Sequence, residues 1–154
     1  MSKAWLLFFI VVCFGTAGLG GALTTPGLPW LETLQKPAFN PPNWVFGPVW
    51  TVLYGLMALS GWLIHSAQPS RRRTQALIVF ALQLCLNLAW SGLFFYLRRP
   101  DWSLADICVL LVLIWTYVAL AWPIQRRAAW LFVPYGLWVA FATALNAAIW
   151  SLNR

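Results

Sequence analysis

The sequence predicts an all-α bundle of five membrane-spanning helices forming one domain over residues 1–154, and three observations carry that prediction. Five long apolar stretches divide the chain. Only 8% of its residues are charged, against about 25% in a soluble domain, so water is a poor solvent for its surface. The charges that remain cluster in the gaps between the stretches.

The spans are expected at about 4–23, 44–65, 74–97, 103–122 and 128–152. Each reaches the roughly 20 helical residues that a hydrocarbon core demands. Helices are the expected form because backbone groups in lipid must be satisfied within the segment. A β-barrel would read as short alternating runs, and these runs do not alternate. The first stretch has only Lys3 ahead of it and no cleavage-site context after it, so it is expected to be a retained span rather than a signal peptide.

A net charge of +7 does not point to nucleic acid here, because the basic residues occupy short inter-span loops where orientation signals belong. Lys3, Arg71, Arg72, Arg73, Arg126 and Arg127 fall on one side. Lys36, Arg98, Arg99 and Arg154 fall on the other, together with Glu32, Asp101 and Asp106. The excess places the N-terminus in the cytoplasm. Cys13, Cys85 and Cys108 lie inside spans without metal or redox spacing and read as small apolar filler.

Three connections are short, Ser66–Arg73, Arg98–Trp102 and Pro123–Arg127, which makes consecutive spans antiparallel neighbours. The first connection, Thr24–Asn43, is far longer than the usual four to six residues, and loops of that length are commonly functional. Five prolines stiffen it, and Leu28, Trp30, Leu31, Leu34 and Phe39 make it apolar. It is expected to fold down over the outer end of the bundle and cap a pocket there. Ser103 with Asp106 reads as a capping box opening the fourth span. Small residues at spacings of four, Ala17/Gly21, Gly18/Ala22 and Ala140/Ala144/Ala148, read as close helix contacts.

Tryptophan accounts for 12 of 154 residues. Most tryptophans lie near span ends, where interfacial anchoring explains them; Trp50, Trp90, Trp115 and Trp138 lie deeper. At about 1.5 Å of rise per residue, Trp50 sits roughly 9 Å, Trp90 roughly 10 Å and Asn87 roughly 15 Å below the outer ends of their spans. Trp50, Tyr54, Met57 and Gly61 share one helical stripe, as do Gln83, Asn87, Trp90 and Phe94, and Tyr135, Trp138, Ala142 and Asn146. Polar side chains within a membrane face the bundle interior. The stripes therefore describe either an aromatic, lightly polar hollow suited to a flat hydrophobic ligand, or interhelical hydrogen bonds and nothing more.

Ordinary catalysis finds little support. The single histidine, His65, stands at the cytoplasmic end of the second span. The carboxylates lie at the opposite surface, roughly 30 Å away. No paired carboxylates, Cys/His cluster, metal-ligand spacing or phosphate-cradling glycine loop is present.

The run Trp30-Leu31-Glu32-Thr33-Leu34-Gln35-Lys36-Pro37-Ala38-Phe39-Asn40-Pro41-Pro42-Asn43-Trp44-Val45-Phe46-Gly47-Pro48-Val49-Trp50-Thr51-Val52-Leu53-Tyr54 resembles the signature of the tryptophan-rich sensory protein and translocator protein family. Asn87-Leu88-Ala89-Trp90-Ser91, Val133-Pro134-Tyr135-Gly136-Leu137-Trp138, Ala140-Phe141-Ala142-Thr143 and Asn146 extend the resemblance over essentially the whole chain. Leu31 stands where the family usually has Tyr, Phe39 where it has Trp, and Trp150 where its sterol motif has Tyr.

The resemblance implies a pocket capped by the first loop, lined by Trp50, Asn87, Trp90, Tyr135, Trp138, Ala142 and Asn146, with Trp30 and Pro42 from the loop; Tyr54 joins them by its stripe. It implies porphyrins such as protoporphyrin IX and haem as ligands, with sterols and benzodiazepine-type compounds as further candidates. No cofactor or metal is required, and the porphyrin or haem enters as ligand. It also implies a homodimer and, with no presequence, a bacterial cell membrane. The leading reading is a receptor or carrier with a sensory or stress role in tetrapyrrole handling. The alternative is a light- and oxygen-dependent porphyrin-degrading enzyme in which Trp50 and Trp138 act, and a third reading is a structural membrane protein without catalysis.

Overall fold

Thr16 and Thr24 lie in a long apolar run, and their hydroxyls donate to the carbonyls of Val12 (2.9 Å) and Gly20 (2.8 Å) one turn back. A polar group is thus satisfied inside its own helix, as the bilayer requires. In the computed structural model, which describes residues 2–154, this helix is α1 (Lys3–Thr24). It passes through a 3₁₀ turn at Thr25–Gly27 into the short α2 (Leu28–Thr33). Pro26 and Pro29 sit near the starts of these two pieces, where a missing N–H costs nothing. An irregular stretch and a 3₁₀ turn at Asn43–Val45 lead into α3 (Phe46–His65).

The remaining helices are α4 (Arg71–Ser91), α5 (Pro100–Ala121) and α6 (Arg126–Leu152). Five helical segments, the first running from α1 into α2, are long and apolar enough to cross a membrane, and no strand occurs among the described residues. The chain is an integral, multi-pass membrane protein.

Two expected boundaries need correction. The third span begins at Arg71 rather than at residue 74, because the Ser70 hydroxyl accepts the Arg73 N–H (3.1 Å) and caps the helix there. Ser103 and Asp106 form no capping box. Pro100 starts α5 one turn earlier, and the fully buried Ser103 hydroxyl donates back to the Pro100 carbonyl (3.1 Å). At the outer end of α4 the ladder widens into a π turn, Gly92–Tyr96. The Arg99 N–H then reaches back to the Leu93 carbonyl (2.9 Å), closing the end with Arg98 in the left-handed region at φ 55°.

α5 packs along both α4 and α6, and α1 lies against α3. The half of the bundle that holds the N-terminus, opposite the long first connection, is solid. The Tyr117 and Phe132 rings meet at 4.1 Å, Phe80 packs on both, and Phe9 meets Phe80 edge-on at 5.5 Å. Gly61 is required there, since a Cβ on it would come within 2.7 Å of the Phe9 ring. Ser60 donates to the Ala128 carbonyl (2.7 Å) and pairs with the Tyr117 hydroxyl (2.9 Å), tying α3 to α6 and α5. The outer half is built differently, around a hollow.

Candidate functional site

A cavity of about 430 Å³ occupies the outer half of the bundle, within the roughly 300–1,000 Å³ typical of small-molecule sites. Trp50, Tyr54 and Phe46 face it from α3; Asn87, Trp90 and Phe94 from α4 and its π turn; Trp138, Ala142 and Asn146 from α6. α1 contributes small residues, Ala17, Gly20 and Gly21. Leu31, Asn40 and Asn43 close the top from the long first connection, which forms a lid.

The floor rests on a directed hydrogen-bond chain across three helices. The Tyr54 hydroxyl donates to Asn87 Oδ1 (2.8 Å), Asn87 Nδ2 donates to the Tyr135 hydroxyl (2.7 Å), and that hydroxyl donates to Gln83 Oε1 (2.8 Å). Gln83 Nε2 ends the chain on the Met57 sulfur (3.8 Å). A second network stands nearer the outer end. Trp90 Nε1 donates to Asn146 Oδ1 (3.0 Å), the Ser103 hydroxyl shares its one hydrogen between that oxygen (2.9 Å) and the Pro100 carbonyl, and Asn146 Nδ2 donates to the Pro100 carbonyl (2.8 Å). The floor's amides are therefore largely engaged by the protein. The Trp138 N–H is the exception, with no acceptor.

The lid is held by apolar packing and by polar ties. Trp30 meets Phe94 edge-on at 5.8 Å and packs with Leu31 and Leu34 on the Phe94, Leu145 and Ile149 cluster. Phe39 meets Phe141 at 6.1 Å. Glu32 accepts from Asn43 Nδ2 (2.8 Å) and pairs with Lys36 (3.3 Å), joining the two ends of the lid. Gly27 lies so close to the Phe95 backbone that a Cβ would come within 2.8 Å of its Cα, and only glycine permits that approach.

Of the ten positions expected in the pocket, Trp50, Tyr54, Asn87, Trp90, Trp138, Ala142 and Asn146 line the cavity together. Three stand elsewhere. Tyr135 is wholly buried beneath the floor and touches the site through Asn87. Trp30 braces the lid from behind. Pro42 is exposed and precedes the 3₁₀ turn, while its neighbours Asn40 and Asn43 line the hollow instead. Ala17 and Gly21, expected as a helix contact, border the cavity. Trp115, though deep, lies outside the cavity, its ring laid over Gly136. Ser103, behind the cavity wall, joins the site through Asn146, and its only signal in the sequence is a hydroxyl one turn inside a helix opened by proline.

Residues 8–151 match the TspO/MBR family. The chain belongs to that family. It is 38% identical over 159 residues to the tryptophan-rich sensory protein of Cereibacter sphaeroides, covering 99% of this chain and 95% of that one. Protein CrtK of Rhodobacter capsulatus is 36% identical over 158 residues, with the same two coverages. The human translocator protein is 35% identical over 130 residues, covering 83% of this chain and 77% of its own. Membership in the TspO/MBR family, joined to the capped hollow, supports a membrane receptor-like role.

Proposed function

We propose that this protein is a membrane receptor and carrier for tetrapyrroles, protoporphyrin IX or haem, with a sensory or stress-related role in their handling. The observation that carries the reading is the conjunction of aromatic walls with a floor whose polar groups already bond one another. Such a cavity offers broad ring faces from Trp50, Trp90 and Trp138 and few unengaged hydrogen bonds. It suits a flat, largely apolar ligand that keeps its charged groups outside, and a macrocycle bearing peripheral carboxylates has that form. Its propionates point outward, with Lys36 and Arg98 the cations expected to meet them. Sterols and benzodiazepine-type compounds fit the same walls with weaker polar matching.

The test is titration of protoporphyrin IX against tryptophan fluorescence in nanodiscs. Saturable quenching is expected, and Trp138→Ala weakens binding about tenfold, or roughly 1.4 kcal/mol. Unchanged affinity in that variant, with the fold intact, removes this placement.

A further inference from the structure

The residues lining the hollow differ sharply in what lies behind them. None of those from α4, its π turn or α6 is exposed: Phe94, Leu145 and Asn146 are buried, and Trp90, Trp138 and Ala142 are half-covered. The exposed ones all belong to two edges. Phe14, Gly21, Thr25 and Leu28 follow α1 outward, and Asn43, Gly47 and Thr51 begin α3. The aromatic contacts between these two edges run Trp5–His65, Phe9–His65 and Phe14–Tyr54, and among the described residues they stop there. Outward of Phe14 no aromatic contact closes the gap between these exposed edges, while Gly27 docks on the Phe95 backbone in the π turn of α4.

We propose that this gap is a lateral portal through which the cavity's ligand enters from the lipid phase rather than through the lid. Depth supports it. Gly21 lies roughly 5 Å below the outer end of α1, and Thr51 roughly 8 Å along α3, inside the span rather than in water. Chemistry supports it as well. The Thr25 hydroxyl donates to the Gly21 carbonyl (2.9 Å) and the Thr51 hydroxyl to the Gly47 carbonyl (2.8 Å). The rim therefore turns methyl groups and hydrogens to a passing solute and asks for no hydrogen bond. Glycine keeps it open: a Cβ at Gly21 or at Gly47 meets nothing within 4 Å. The opposite route is shut by the packed lid and its ties to Asn153. The choice of an apolar solute rests on the tetrapyrrole reading, but the portal itself is tested without that ligand.

The experiment places a thiol in the hollow as Ala142→Cys, with Cys85 and Cys108 changed to Ala and the buried Cys13 retained. The protein sits in nanodiscs, and two reagents compete: a lipid-soluble pyrene maleimide and a water-soluble sulfonated thiosulfonate. The lipid-soluble reagent is expected to label faster. Gly21→Phe and Gly47→Phe slow it at least about tenfold, whereas Gly18→Phe, equally bulky on open helix surface, leaves it unchanged. Either rim variant suffices should the other fail to fold. Unchanged labelling in a folded rim variant overturns the portal, as does equal slowing by Gly18→Phe. Faster labelling by the water-soluble reagent, quickened further by Asn153→Ala, assigns entry to the lid instead. Failure of protoporphyrin IX to bind would sink the proposed ligand and leave these rates intact.

Discussion

Asn153 clasps the backbone of Gln35 from both sides, 118 residues away in sequence. Its Oδ1 accepts the Gln35 N–H at 2.9 Å, and its Nδ2 donates to the Gln35 carbonyl at 2.9 Å and to the Ile149 carbonyl at 2.8 Å. A side-chain amide here imitates one rung of a β-ladder and fastens the middle of the lid to the end of α6. Asn153→Ala removes both bonds to Gln35. At about 0.5–1.5 kcal/mol each in net terms, and less where water competes, the Gln35 amide should exchange hydrogen about fivefold faster or more. Hydrogen-exchange mass spectrometry over residues 34–40 reads this directly, and protection equal to that of the parent protein would show that apolar packing alone holds the lid.

The Tyr54–Asn87–Tyr135–Gln83 chain ranks its own variants. Asn87→Leu deletes two interhelical bonds and leaves the Tyr54 hydroxyl without an acceptor. Tyr135→Phe also deletes two, and Tyr54→Phe deletes one. Bonds of this kind within membranes average about 0.6 kcal/mol and reach about 1.7. Thermal unfolding in micelles should therefore place Asn87→Leu and Tyr135→Phe about 1–2 kcal/mol below the parent, with Tyr54→Phe losing about half as much. If Tyr54→Phe proves the most damaging, stability does not follow the number of interhelical bonds lost.

This chain also marks how far the sequence could be read. Composition and span length were sufficient for five helices, since lipid leaves the backbone no other local solution. The stripes of α3, α4 and α6 brought Trp50, Asn87 and Trp138 to one depth because helical periodicity survives in any bundle. Periodicity does not distinguish a residue that lines a hollow from one sealed beneath it. Tyr135 shares a stripe with Trp138 yet lies under the floor, because a turn of helix moves the side chain past the cavity's end. Pro42 and Trp30 sit in irregular backbone, where no period predicts orientation. The Gln35–Asn153 clasp was illegible for a related reason: one partner is backbone, and backbone carries no residue signature. The same holds for the approach of Gly27 to the Phe95 backbone.

Arg98 carries backbone strain that glycine would relieve. Its φ of 55° closes the π turn of α4 before α5 begins. The left-handed region costs an L-residue roughly 1–2 kcal/mol, and helix ends of this kind favour glycine. Arg98→Gly is expected to raise stability by about 0.5–1 kcal/mol, part of the relief being offset by the freer unfolded chain. Arg98→Val should lower it, since branching at Cβ fits that region worst. A lower melting temperature for Arg98→Gly would mean that the arginine side chain outweighs the strain.

Asp106 presents the opposite case, a polar group with too few partners. It lies three residues beyond Ser103 and four before Leu110, on the face of α5 that packs inward, and its Oδ2 is buried with no hydrogen bond. An unmet acceptor in such surroundings costs about 1–3 kcal/mol, and an ionised carboxylate kept from water costs more. A purely structural residue at this position would be improved by removing the carboxyl. Asp106→Leu should therefore unfold at a higher temperature than the parent in micelles without ligand, by about 1–3 kcal/mol, whereas Asp106→Asn, which keeps a polar demand, should gain little. The sign is decisive. If Asp106→Leu is instead destabilised while Asp106→Asn holds, the oxygen has a partner such as an ordered water or lipid headgroup, and the group is part of the outer hydrogen-bond network that Ser103 and Asn146 begin.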